Sequence, residues 1–113
     1  MIVGHIDDCQ KINLEGLAGV IKQVPISPEQ GWEGYVMRVF TLEAGCCSPR
    51  HRHPWPHINW MVSGTGSLHI NGTDYPVREG SFAFVPAGAE HQYSNTGTRP
   101  FVFICIVPEE GDV

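Results

Sequence analysis

His51, His53 and His57 fall within seven residues of one another in the stretch GCCSPRHRHPWPHINWMVSG, and His91 follows in a second stretch punctuated by Gly and Pro. On a strand, His51 and His53 would point to the same side, about 6.6 Å apart along the chain. Two rings so placed can converge on one cation at about 2.1 Å each. Pro54 and Pro56 cannot donate to a central ladder, so the chain must turn there. His57 is therefore expected to open the neighbouring strand and to approach the cation from that side. His91 arrives through the tight turn Pro86-Ala87-Gly88, which fixes a residue at the start of a strand. A single histidine is more often a surface or satisfied core residue than a ligand. Four of them in two turn-bounded segments predict a single divalent metal enclosed by β-structure.

The elements that must position these rings are short strands. Tyr35–Leu42, YVMRVFTL, is a β-branched and aromatic run ended by Gly45. Ile58–Val62 is the next strand. Ser67–Ile70 and Tyr75–Val77 flank Asn71-Gly72, a hairpin signal because both residues tolerate positive φ. Ser81–Val85, Gln92–Ser94 and Phe101–Val107 complete the set, with a weaker strand at Ala18–Ile26 whose Pro25 favours an edge position. Ser27–Gly31 reads as a loop, and the residues around Glu15 lack a sustained helical period. About eight or nine strands at spacings of roughly 8–12 residues predict an all-β sandwich or barrel with little helix. The expected division is an N-terminal arm and edge strand over 1–30 and the barrel over 31–113. YVMRVFTL and FVFICIV are apolar on both alternating faces, so the outer face needs a cover. A partner subunit or the N-terminal arm could supply it, and a homodimer is expected.

Net charge of −5 and few Lys or Arg leave no basic run for nucleic acid or an anionic membrane surface. No segment approaches the roughly 20 apolar residues that span a bilayer. The opening MIVGHIDDCQ has acids where a secretory signal carries a basic flank, so a cytoplasmic location is the expectation. Cys9, Cys46, Cys47 and Cys105 form no C-x-x-C pair and are read as free thiols, each most simply a small buried residue.

The two histidine stretches resemble the paired motifs of the cupin superfamily. The first reads Gly45, five residues, His51-x-His53, then His57 where the motif carries Glu, then Gly64; the second reads Gly80, Pro86-x-Gly88, His91 and Asn95 with the motif's own spacing. The flanking VMRVFTLEAG and FVFICIVPEEG extend the similarity to most of the chain. Within the superfamily the chain is most similar to small single-domain four-histidine, manganese-type cupins. The resemblance implies a jelly-roll β-barrel (a double-stranded β-helix), a mononuclear metal with Mn favoured, and usually a dimer. By ligand softness alone Fe, Zn, Ni or Cu also suit imidazole.

Replacing Glu by His57 leaves the full charge of the cation uncompensated. That favours an anionic ligand at an open position and removes a carboxylate that could act as a base. His91, Tyr93 and Asn95 share parity, so Tyr93 either faces the cavity with its phenol toward an oxygen ligand or packs in the interior. Arg38, a cation in an apolar strand, either points inward to a substrate carboxylate or phosphate or sits at an edge with its head in water. The resemblance places Phe103, Cys105 and Val107 inward near the metal, with Ile104 and Ile106 outward. Cys105 is either a thiol beside the site or a small core residue. Asn59 and Met61 share His57's parity and are expected to line the pocket; Trp55 lids the entrance or caps the barrel. Glu90 should point away, and His5 and His69 should be exposed.

These residues suggest a metal-dependent oxygenase acting on a small organic molecule, with open positions for substrate and O₂ side by side. An isomerase or lyase acting on a sugar or sugar phosphate is the alternative, and it needs a base that the motifs do not offer. A non-catalytic module that binds a small ligand is the third reading.

Overall fold

The computed structural model describes residues 1–14 and 16–112, which form nine strands in two antiparallel sheets. In the larger sheet the order is β1 (Ile12–Asn13), β2 (Val20–Ile26), β3 (Tyr35–Leu42), β9 (Phe101–Pro108), β4 (His57–Ser63) and β7 (Phe82–Val85). In the smaller sheet it is β6 (Thr73–Arg78), β5 (Thr65–Ile70) and β8 (His91–Asn95). Helix among the described residues is limited to 3-10 turns at Ile6–Asp8, Pro28–Gln30 and Glu109–Gly111. The chain is all-β, with the jelly-roll architecture. Glu15, whose sequence surroundings lack a helical period, lies outside the described residues, as does Val113.

Alternation decides the layers. Along β9, Phe101, Phe103, Cys105 and Val107 are buried between the sheets while Ile104 and Ile106 face the other way. β9 pairs with β3 along its whole length, from Leu42↔Phe101 to Tyr35↔Pro108, and with β4 on its other side. It is therefore the central strand, buried by neighbours on both edges. Val36, Leu42, Met61, Leu68 and Val85 join it in one core. Val20 of β2 is equally buried, and β2 pairs with β3 from Val20↔Leu42 onward.

Some details differ from the sequence expectations. β2 is not the last strand, because β1 pairs outside it at Ile21 and Lys22; Pro25 is accommodated instead in a bulge, where the register with β3 shifts between Gln23 and Ile26. Ser27–Gly31 contains a 3-10 turn closed by a capping box, with the Ser27 amide donating to Gln30 Oε1 at 2.8 Å. His51 and His53 do not lie on a strand; His51 makes a single bridge to His91, and His53 belongs to irregular chain. His69 is largely shielded, its ring bonded to Asp74 at 2.7 Å, whereas His5 is exposed. Of the cysteines only Cys105 is buried; Cys47 is exposed and the other two are half-buried.

The outer face of the larger sheet is covered over half its width. Ile6 and Cys9 line one groove with Val24, Met37 and Val39, and Gln23 Nε2 ties their segment down through the carbonyls of Ile6 and Cys9 at 2.9 and 3.2 Å. The other half stays open: Ile58, Trp60, Phe82 and Phe84 are all exposed there, beside Ile104 and Ile106.

Gly64 carries the chain from the larger sheet to the smaller at φ +83°, and a Cβ there would press on the Pro100 carbonyl and come within 3.0 Å of Phe101 Cα. Gly64→Ala is expected to cost about 2–3 kcal/mol in urea unfolding. Gly72→Ala, at φ +86° but in open space, should cost about 1 kcal/mol in the same assay.

Candidate metal centre

The four histidines are delivered by two sheets and one connecting segment. His91 opens β8 after a turn whose Gly88 has φ +81°, a conformation that disfavours any side chain. The segment before β4 runs back along β8, so that His51 and His91 exchange both backbone bonds, 3.1 Å from His51 N and 2.9 Å from His91 N. The same turn reaches His53, whose carbonyl accepts from Gly88 N at 2.7 Å. Both halves of the histidine pattern are thus locked together by backbone. His57 comes from the opposite sheet, where it opens β4 across from Val85.

One ring nitrogen from each of His51, His53 and His91 lies within 4.8 Å of the others. The rings of His51 and His53 are 4.1 Å apart between centroids, and those of His51 and His91 are 4.8 Å apart. His57 meets this group through His91 alone, Nε2 to Nε2 at 3.2 Å.

Hydrogen bonds behind the rings settle which nitrogens are bare. Asn59 Nδ2 donates to the Ile104 carbonyl at 3.2 Å, so its Oδ1 must be the acceptor facing His57 Nδ1 at 2.9 Å and the Tyr93 hydroxyl. His91 Nδ1 donates to the Ala89 carbonyl at 3.0 Å. Both rings therefore hold their proton on Nδ1 and present a lone pair on Nε2. Two lone pairs aimed at each other across 3.2 Å repel unless a cation lies beside them. Neutral, outward-braced imidazoles are the donor set that a divalent transition metal requires, and the residues fit that group.

Electrostatics push the same way. Burial, reinforced by His53, His91 and Arg38, holds His51 down to about 4. Burial and then His91 bring His57 to about 3, against the bond from Asn59. His53 and His91 are also lowered, in each case first by burial. All four rings are neutral at ordinary pH and ready to donate electron pairs.

A cavity of about 280 Å³ lies against the rings, walled by Tyr93, Phe103, Phe40, Cys105, Arg38 and Lys22 among others. Arg38 points into it rather than to water: Nη2 donates to Cys105 Sγ at 3.0 Å and the guanidinium lies 5.1 Å from the Phe40 ring centre. Burial raises Cys105 despite Arg38, so the sulfur is a thiol rather than a thiolate. Tyr93 lines the cavity with its ring stacked 4.2 Å from Phe103, but its hydroxyl is committed to Asn59, and burial pushes its pKa well above 10. The phenol thus braces His57 through Asn59 instead of reaching an oxygen ligand.

Four residues expected to line the pocket stand behind or beside it. Asn59 orients His57; Met61 and Val107 are core residues, fully covered by neighbours. Trp55 stacks on His53 at 4.8 Å with the rings 8° from parallel, and its indole fills the space beside Gly111. Parity put Asn59 and Met61 on the interior side correctly, yet parity gives no depth along the barrel. Glu90 points away from the cavity, toward Arg52 at 3.5 Å. Lys22 and Asp112 escaped the sequence reading. A lone cation in the apolar run AGVIKQVPI is the same signal that singled out Arg38; Asp112 has no signal of its own.

A family model described as the cupin domain matches residues 38–107. The chain belongs to the cupin family. Over 67 residues, 58% of this chain, it is 31% identical to the oxalate-binding protein of Thermotoga maritima. The match takes in 55% of that protein, so the chain spans about half the length of this relative. Among crystal structures, the polyketide cyclase RemF of Streptomyces resistomycificus superimposes with a TM-score of 0.87 at 21% identity, over 96% of this chain and 80% of RemF. A predicted oxalate decarboxylase of Thermotoga maritima superimposes with a TM-score of 0.85 at 22% identity, over 95% of this chain and 98% of that one. At these identities the two structures attest the fold.

The depressed histidines carry a pH signature. In the unfolded chain each takes up its proton near 6.5, whereas the folded His51 and His57 wait until about 4 and about 3. Below pH 6.5 the unfolded state binds more protons, so stability falls with pH and the decline ends only below about 3. Thermal melts of metal-free protein should therefore drop steadily from pH 7 to pH 5. In calorimetric titration the folded protein should lose less Zn²⁺ affinity over that interval than free imidazole ligands do, because all four rings keep their lone pairs to lower pH.

Proposed function

We propose that this protein is a mononuclear metalloenzyme in which His51, His53, His57 and His91 hold one divalent transition metal, with a small organic anion bound in the adjoining cavity and oxidised at the expense of O₂. The observation that carries the reading is the confrontation of two bare Nε2 lone pairs, on His57 and His91, at 3.2 Å. Mn is the metal favoured by the likeness to four-histidine cupins. Bound there, the metal supplies Lewis acidity and, as Mn or Fe, a redox couple that makes O₂ reactive toward an organic substrate.

The chain's own residues account for the rest. Asn59 and the Ala89 carbonyl fix ring orientation. Phe40, Tyr93 and Phe103 form an aromatic wall that excludes water, and Arg38 supplies a positive charge for the anion. Among the described residues that line the cavity there is no Asp or Glu, and the carboxylate of Asp112 beside it is engaged by Lys22 and Arg38, which disfavours the isomerase or lyase alternative. The name of the Thermotoga oxalate-binding relative supports a small organic acid as the occupant. It also favours a second reading, in which the acid is bound without turnover.

Oxygen uptake by Mn- or Fe-loaded protein with oxalate, first of a panel of small organic acids, separates these readings. Turnover in air and its loss under argon are expected. Equal rates in both atmospheres would remove the oxygenase, and binding without turnover would establish the second reading.

We also propose that a second copy of this chain covers the open half of the larger sheet. Ile58, Trp60, Phe82 and Phe84 form a patch with no charge to select another partner. β7 borders it as the last strand of the sheet, so a twofold copy buries the same residues against themselves. Trp60→Glu should convert a dimer to a monomer in light scattering. An unaltered mass for the variant, or a monomeric parent protein, would overturn this assembly.

A further inference from the structure

Lys22 and Arg38 put two cations into the wall of one small cavity, their side chains only 12% and 11% exposed. Cations so far from water require anionic company. Among the described residues they have a single carboxylate: Asp112 Oδ1 lies 2.6 Å from Lys22 Nζ and 4.0 Å from Arg38 Nη1. The remaining contacts of Arg38 are weak ones, a thiol sulfur at 3.0 Å and the face of Phe40, and its Nε is buried with no hydrogen-bond partner. Among the described residues two positive charges thus share one negative charge, and the four neutral imidazoles that also line the cavity add none. Asp112 belongs to no strand; it follows the 3-10 turn Glu109–Gly111, which is held by the Glu109 amide on the Gly34 carbonyl at 2.8 Å and packs under Trp55 at Gly111.

We propose that Lys22 and Arg38 form the seat for a carboxylate of the organic acid, whose other end faces the histidines, and that Asp112 holds this seat in the ligand's absence. The chemistry of the seat is shown by its occupant: a carboxylate already sits on the lysine. Entry of the ligand exchanges one carboxylate for another on the same two cations and frees the Asp112 side chain to swing into solvent, where it is already 26% exposed. No bond is made or broken. The inference rests on the reading of the cavity as an organic-acid site, and it adds the residues that select the acid and the one that competes with it.

The test is calorimetric titration of Mn-loaded protein with oxalate, malonate, acetate and inorganic phosphate, with Mn²⁺ affinity measured separately for every variant. Lys22→Met should weaken oxalate or malonate roughly tenfold or more, and Lys22→Arg should restore most of the loss. Asp112→Asn should tighten the same acids roughly tenfold by removing the competitor. Mn²⁺ affinity should be unchanged in all three. Lys22→Arg and Asp112→Asn preserve size, so they test the idea even if Lys22→Met does not fold. Oxalate binding that ignores both Lys22 and Asp112 would overturn the seat while sparing the organic-acid reading. Phosphate bound more tightly than any carboxylate would overturn the assignment of ligand class. Normal Mn²⁺ uptake with none of the carboxylates bound would overturn both.

Discussion

The orientation of one amide governs this site. Asn59 gives its NH₂ to the Ile104 carbonyl, so only its oxygen is left for His57 and Tyr93. A flipped amide would set NH₂ against the ring, move the histidine proton to Nε2, and turn an electron-pair donor into a hydrogen-bond donor aimed at His91. The amide cannot flip because its partner is backbone of the central strand, paired on both edges. The electronic state of the centre is thereby written into sheet register, through Asn59↔Cys105 in the β4–β9 ladder.

Polarity in the cavity is equally one-sided. Aromatic rings and a neutral thiol form most of its wall, with the titratable groups held in their uncharged forms by burial. Against that background Lys22 and Arg38 stand out, since Asp112 alone among the described residues places a negative charge on them. A low-dielectric wall with fixed cations selects for anions by charge first and shape second. Burial also depresses all four imidazoles, so the isolation of the cations and the neutrality of the histidines share one cause. Burial serves both.

Much of this was legible in the sequence, for identifiable reasons. Tyr35–Leu42 was read to the residue because β-branched and aromatic types run unbroken between turn signals, and Asn71-Gly72 marked its hairpin because both positions take positive φ. The four histidines were visible from type and spacing. What alternation cannot supply is depth: Asn59, Phe103 and Cys105 share an inward direction, yet Asn59 stands behind the rings while the other two face the cavity. Nor could it foresee that His51 and His53 converge from irregular chain, since what holds them is Gly88 and His91, some forty residues away in sequence. The Lys22–Asp112 contact joins two segments that no local pattern relates.

The backbone clasp between the two histidine segments has a bearing on ion affinity. His51 is fastened to His91, and His53 to Gly88, in a fold where β8 is docked on β5 and the chain between β3 and β4 is folded back on it. The nest of donors thus exists only where distant parts of the chain have met. The unfolded chain has no such nest, so any affinity of these rings for an ion is a property of the fold.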